Sequence, residues 1–175
     1  MPSNLRSKEF LLEGMKHSMR FFSPERCMDP AGGYFHFYGE DGTVYDAETR
    51  VLVTQARFVF TFAVAFEHLG SESYLAAAKH GVSYLSEGPL RNQKNKGYHW
   101  VVKDGEPTSS KIFTYALAQT LLAYAAAARA GVAQGHTRVL QCHFNSIFSD
   151  KMCQKEHPPF ENLKRDDHSS KNQLK

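Results

Sequence analysis

The chain states one pattern twice, and that repetition constrains its fold more than any other feature. Gly33-Tyr34, a short β-prone run, Asp41-Gly42 and a long apolar helix bearing Arg57 and closing at Gly70 make the first copy. Gly97-Tyr98, another β-prone run, Asp104-Gly105 and a long apolar helix bearing Tyr115 and Gln119 and closing at Gly131 make the second. The copies are offset by about 62 residues, a period that fits two helices and a hairpin and marks arrays or closed toroids. One unit of this kind cannot bury its apolar face alone, so function depends on how many units assemble.

The helices come in two kinds. From about Ser7 to Phe22, the residues Leu12, Met15, Met19 and Phe22 fall on one face in steps of three and four, which predicts an amphipathic helix with one wet side. Ser71 to Glu87 repeats this with Leu75, Ala78, Val82 and Leu85, and a third such stretch starts near Ala133 with Leu140, Phe144 and Ile147. By contrast, Thr54–Leu69 and Ile112–Ala128 are apolar nearly all round, as expected of helices packed on several sides. Gly70 and Gly131 stand where a left-handed C-terminal cap is wanted. Asp46 or Thr49 can N-cap the first buried helix, and Ser109 or Ser110 the second.

Between wet and buried helices lie Tyr34–Tyr38 and Tyr98–Val102, each followed by an Asp-Gly turn signal. Buried helices inside, amphipathic helices outside and hairpins at one rim make an all-α chain, a partial (α/α)6 toroid with short β-hairpins. Closing six pairs takes roughly 370 residues at this period, and this chain supplies about two and a half. The expected division is an incomplete α/α-barrel domain over 1–150 and a disordered charged tail over 151–175, where Pro158-Pro159 interrupts a sequence without apolar period. A truncated or alternatively terminated product would read the same way.

Charge excludes some functions. The formal net charge is +3, and the final stretch from Lys151 carries 6 − 4 = +2 of it, leaving no basic stripe for nucleic acid. The apolar runs are too short to span a bilayer, and the first ten residues lack the apolar segment of a signal peptide. Three cysteines, Cys27, Cys142 and Cys153, form no framework spacing and point to reduced thiols in the cytoplasm. Cys142, His143, Cys153 and His157 include one C-x3-H spacing but no C-x2-C pair, so no metal site is assigned.

Arg57 is the sharpest single residue. It is the only charge between Arg50 and Glu67, on a helix otherwise built to be buried. A guanidinium cannot be neutralised inside a protein, so it must face water, a carboxylate or a ligand. Two roles stay open: a donor fork for sugar hydroxyls or a carboxylate, or an ion pair with Asp41 or Asp46. Tyr115 and Gln119 lie one turn apart on the second buried helix and either line the same pocket or are satisfied within the core. The rim aromatics Tyr34–Tyr38, Tyr98 and Trp100 can stack on sugars or pack the hairpins onto helices. His36 and His99 hold nearly equivalent positions in the two copies, which favours structure over catalysis.

Asp29-Pro30-x-Gly-Gly-Tyr34, Asp41-Gly42 and Thr54-x-x-Arg57, continued by Tyr74–Gly81, Gly97-Tyr98-x-Trp100, Asp104-Gly105, Lys111 and Tyr115-x-x-Ala118, resemble the N-acylglucosamine 2-epimerase family over roughly residues 7–150. The resemblance implies an (α/α)6 barrel and proton transfer at sugar C2 through an enediol-type intermediate, with no required redox cofactor. Arg57 matches the family's sugar-contacting arginine, and Tyr115 an aromatic position near the pocket. Leu117 and Val53 depart from the family pattern, and none of the nine histidines matches the family's acid–base histidines, so no catalytic base is assigned. A monosaccharide or disaccharide is the implied ligand, and exposed inner helices invite a homo-oligomer. The competing reading is a non-catalytic carbohydrate-binding or assembly module. A glycoside hydrolase or lyase on the same architecture would need acidic pocket residues, and the two inner helices offer only Glu67.

Overall fold

The computed structural model describes residues 5–94, 97–109, 111 and 113–132. The third amphipathic stretch, the charged tail and the cysteine–histidine group at Cys142, His143, Cys153 and His157 lie outside the described residues. Within them, helix α1 covers Lys8–Phe21 and a single turn, α2, covers Pro24–Cys27. Ser7 caps α1 through its hydroxyl, which accepts from the Phe10 amide at 3.2 Å. The short strands β1 (Phe37–Tyr38), β2 (Val44–Asp46) and β3 (Thr49–Val51) lead into the long helix α3, Leu52–Leu69. Helix α4 (Glu72–Glu87), strands β4 (Val101–Lys103) and β5 (Glu106–Ser109) and helix α5 (Thr114–Arg129) complete the described chain.

Helix α3 is the centre of the core and packs against both α4 and α5, with α1 on a further side. Its sequence explains this position: Leu52, Val53, Ala56, Val59, Phe62 and Ala63 point to several directions around the helix and all are buried. The wet helix α4 buries only a stripe of small residues with Val82 and Leu85. That stripe lets the two helices approach closely at Gly81, where an added Cβ would lie 2.5 Å from Val59 Cγ2 and closer still to Tyr34 Oη.

The repeat seen in sequence is a repeat in space. Met28 bridges Tyr34 in the first copy, and Arg91 bridges Tyr98 in the second. Both tyrosines are buried; Tyr34 packs at a tilt on Phe62 of α3 with ring centroids 5.5 Å apart, and Tyr98 meets Tyr124 of α5, hydroxyl to hydroxyl at 3.2 Å. Two Asp-Gly turns close the hairpins β1–β2 and β4–β5, and at Asp104-Gly105 both residues have positive φ (52° and 78°), as a two-residue hairpin turn of this hand requires.

The strands also join the two copies, which sequence reading did not anticipate. β3 leaves its own hairpin and pairs antiparallel with β4 of the second copy, Arg50 opposite Val102, giving the sheet order β3-β4-β5. The Leu52 amide then donates to the Trp100 carbonyl at 3.0 Å, so α3 begins directly from the end of a strand. The expected N-caps are therefore corrected: α3 starts after Val51 and α5 after Phe113, neither with a side-chain cap. Asp46 is spent on the preceding turn instead, accepting from the amides of Glu48 and Thr49 and from the Thr49 hydroxyl. Gly70 and Gly131 do take the left-handed conformation that follows each inner helix, with φ of 73° and 79°.

Candidate functional site

Arg57 sits in the second turn of α3 and is exposed, although most of its helix is buried. Its guanidinium donates a short hydrogen bond to the Tyr115 hydroxyl on α5 and lies 5.9 Å from the centre of that ring. Neither Asp41 nor Asp46 pairs with it. Asp41 accepts from Thr43, and Asp46 is committed to its turn. Tyr115 itself is 52% exposed. Gln119 lies one turn further along α5, half-buried.

A cavity of about 280 Å³ opens beside Arg57, lined by Phe22, His36, Thr54, Arg57, Phe58 and Thr61. The four α3 residues fall at spacings of three, four and seven, one face of one helix. Sequence reading did not assign the two threonines to the site, although their spacing puts them on the face of the lone arginine. Phe22 and Phe58 meet edge to face, with centroids 5.8 Å apart, and form an aromatic wall.

His36 also lines this wall. Burial lowers the pKa of its imidazole, because the charged form loses water. Its Nδ1 lies 3.4 Å from the Gln55 amide nitrogen, and its buried Nε2 has no hydrogen-bond partner among the described residues. The other rim aromatics make contacts within the frame. Tyr34 is buried and donates to the Ala77 carbonyl at 2.7 Å, Tyr38 donates to the carbonyls of Arg26 and Phe35, and Trp100 packs on Phe113 at 4.4 Å. Val53 and Leu117, the two departures from the family pattern, are both buried and do not line the cavity.

Two further charged constellations brace the frame. Buried Arg50 makes a short ion pair with Asp29, donates to the Ala47 and Thr49 carbonyls and lies over the Phe35 ring at 5.1 Å. Sequence reading missed this pair because its partners are 21 residues apart with the β1–β2 hairpin between them. At the far end of the inner helices, Arg129 of α5 holds Glu67 of α3 through two hydrogen bonds of 3.0 and 2.5 Å, and the contact lowers the Glu67 pKa. Among the described residues, no three histidine, cysteine or acidic side chains gather as metal ligands.

One family, described as N-acylglucosamine 2-epimerase (GlcNAc 2-epimerase), matches residues 33–172. The chain belongs to that family. It is 37% identical over 144 residues to D-mannose isomerase of Marinomonas mediterranea, an overlap of 79% of this chain and 36% of the relative. A crystal structure of D-mannose isomerase superposes with a TM-score of 0.76 at 35% identity, over 83% of this chain and 36% of that one. Cellobiose 2-epimerase from Spirochaeta thermophila DSM 6192 superposes with a TM-score of 0.64 at 24% identity, a likeness of fold alone, covering 83% of this chain and 36% of that one. These family neighbours are (α/α)6 barrels, so α3 and α5 are inner helices and α1 and α4 outer ones. The chain thus spans about a third of the length of the relatives it matches.

Proposed function

We propose that this chain forms the Arg57 wall of a sugar site in a 2-epimerase or aldose–ketose isomerase, in which a proton moves at sugar C2 through an enediol-type intermediate. One observation carries the reading: a fixed positive charge stands exposed on an inner helix and is held by Tyr115 from the next inner helix. A guanidinium so oriented offers planar donors to sugar hydroxyls and to the oxyanion that grows as the C–H proton leaves. Tyr115 orients that fork, and Gln119 adds an amide one turn away. D-mannose, named by the relative at 37% identity, is the first ligand to test. The reading requires no redox cofactor and assigns no catalytic base to this chain.

A cytoplasmic location fits the free, buried Cys27, and among the described residues no helix is long and apolar enough to cross a membrane. Nucleic acid is not a partner in this reading. Self-association through the open inner helices is.

The test is saturation-transfer NMR of D-mannose with the chain, alongside C2 exchange in D2O. The expected result is binding that Arg57→Ala abolishes, without exchange by the chain alone. Absence of binding overturns the sugar reading, and exchange overturns the missing base. Binding by the wild-type chain and Arg57→Ala alike would leave a carbohydrate-binding module whose site lies elsewhere.

A further inference from the structure

We propose that His36 is a second hydrogen-bond donor of the Arg57 cavity, holding its one ring proton on Nε2 and donating it to an oxygen of a bound sugar. The inference rests on the sugar reading above and adds a binding residue that the reading leaves unassigned.

The tautomer follows from the Gln55 amide. Gln55 Oε1 accepts from the Tyr34 amide and Gln55 Nε2 donates to the Tyr34 carbonyl, both at 2.8 Å, so the amide cannot turn over without losing both bonds. Its nitrogen, with a second hydrogen to place, lies 3.4 Å from His36 Nδ1. An amide nitrogen donates and does not accept, so Nδ1 must meet it with a lone pair. A proton on Nδ1 would set two donors against each other, and the Tyr34 carbonyl, the acceptor that would favour one, already takes a hydrogen from Gln55. Burial lowers the imidazole pKa, and the Arg50 charge adds to this, against the Tyr34 carbonyl and Asp46. The ring is therefore neutral, and a neutral imidazole with a bare Nδ1 carries its hydrogen on Nε2.

That Nε2 is buried and has no hydrogen-bond partner among the described residues, while the half-buried ring lines the cavity together with Arg57. Buried donors are seldom left unmade. Phe37, which packs on the ring with centroids 4.3 Å apart, offers it only carbon. The Cβ–Cγ torsion of a histidine is soft, so a small tilt turns Nε2 toward an oxygen in the cavity. Arg57 and the His36 Nε2–H can only donate, so the ligand must bring acceptor oxygens to both. The Thr54 and Thr61 hydroxyls on the same wall can donate or accept, and Phe22 and Phe58 present apolar surface. A polyhydroxylated molecule with C–H faces matches that set. The same tautomer keeps His36 from abstracting a proton at Nε2, because the lone pair is on Nδ1 and is held by Gln55. His36 binds, and the absence of an assigned base stands.

Two substitutions separate binding from support. His36→Gln can keep a donor near the Nε2 position but gives up the Nδ1 acceptor, whereas His36→Asn can keep that acceptor for Gln55 but gives up the donor. Calorimetric titration of the full chain with D-mannose is expected to show His36→Asn weakened about tenfold or more and His36→Gln within about threefold of the wild type. Thermal melts should rank the two the other way, with His36→Gln the less stable. Long-range 1H–15N NMR of the wild-type imidazole at neutral pH should show a protonated Nε2 and a bare Nδ1, and the Nε2 resonance should move as mannose is added. A protonated Nδ1, His36→Asn binding as tightly as the wild type, or affinities that fall in step with melting points would each overturn the proposal and leave Arg57 in place. A wild-type chain that binds no mannose overturns it together with the sugar reading.

Discussion

The side chain of Gln55 pairs with the backbone of Tyr34 as though it were a neighbouring strand. Its Oε1 accepts from the Tyr34 amide at 2.8 Å, and its Nε2 donates to the Tyr34 carbonyl at 2.8 Å, with Gln55 fully buried. This ring ties the loop that enters the first hairpin to the first turns of α3, the turns that carry Arg57. Its position in the frame makes it a stability element upstream of the candidate site.

Replacing Gln55 by Leu leaves a buried donor and a buried acceptor on Tyr34 without partners, a loss of about 2–6 kcal/mol at 1–3 for each group. Gln55→Glu keeps the acceptor but sets a carboxylate oxygen against the Tyr34 carbonyl. Because burial favours the protonated acid, and that form restores a donor, the deficit of Gln55→Glu is expected to shrink as pH falls into the carboxylate range. Urea midpoints of both variants at neutral and acid pH check this. A Gln55→Glu deficit that does not change with pH would rule out the paired geometry.

Gly81 marks the closest approach of α4 to the core. A methyl there presses on Tyr34 Oη and lies 2.5 Å from Val59 Cγ2, and Tyr34 cannot retreat while its hydroxyl donates to the Ala77 carbonyl at 2.7 Å. Gly81→Ala normally favours a helix by up to about 1 kcal/mol, but here overpacking of about 1–3 kcal/mol opposes it. The expected outcome is net destabilisation, partly relieved by adding Tyr34→Phe. Thermal melts of the single and double variants decide it.

Asp46 links pH to stability through the turn before β3. Its carboxylate accepts from Thr49 and Glu48, and these hydrogen bonds hold its pKa at about 2, against an ordinary value of 3.8. A carboxyl whose folded pKa is depressed adds stability above its unfolded value and loses it as pH falls through the folded one. The Asp46 contribution should therefore be complete above about pH 4 and fade toward pH 2. Asp46→Asn keeps an acceptor without the charge, so its stability should change less across that window. Denaturant midpoints between those limits measure the difference, and identical pH profiles would contradict it.

The sequence disclosed what depends on local spacing. The 62-residue repeat, the wet and buried helices, the Asp-Gly turns and the glycines that end α3 and α5 are written in periods of three to four residues or in single turn residues. What it concealed depends on distant pairing. Asp46 looked like a helix cap because capping residues and turn residues are the same types, and only the strand β3 running straight into Leu52 removes the need for a cap. Gln55 and Arg50 looked like ordinary polar residues, since their partners Tyr34 and Asp29 are each 21 residues away. At the site, Arg57 was conspicuous as a lone charge, whereas Thr54 and Thr61 are unremarkable until the cavity gathers them.

Arg57 and Tyr115 give the test that separates a ligand site from a brace. Both are exposed, so an interaction that serves only stability contributes about 0–1 kcal/mol and its loss barely moves a thermal melt. Arg57→Lys keeps the charge but loses the planar fork, and is expected to weaken D-mannose binding about tenfold or more, equivalent to at least about 1.4 kcal/mol. Tyr115→Phe removes the hydroxyl that orients the guanidinium and should weaken binding less. In the double variant the Tyr115→Phe effect should largely vanish, because with the fork gone there is nothing left to orient. Calorimetric titration of the four proteins gives the coupling, and their melts give the control. Unchanged affinities in all four proteins would make the pair a structural clasp between two inner helices and remove Arg57 from the sugar site.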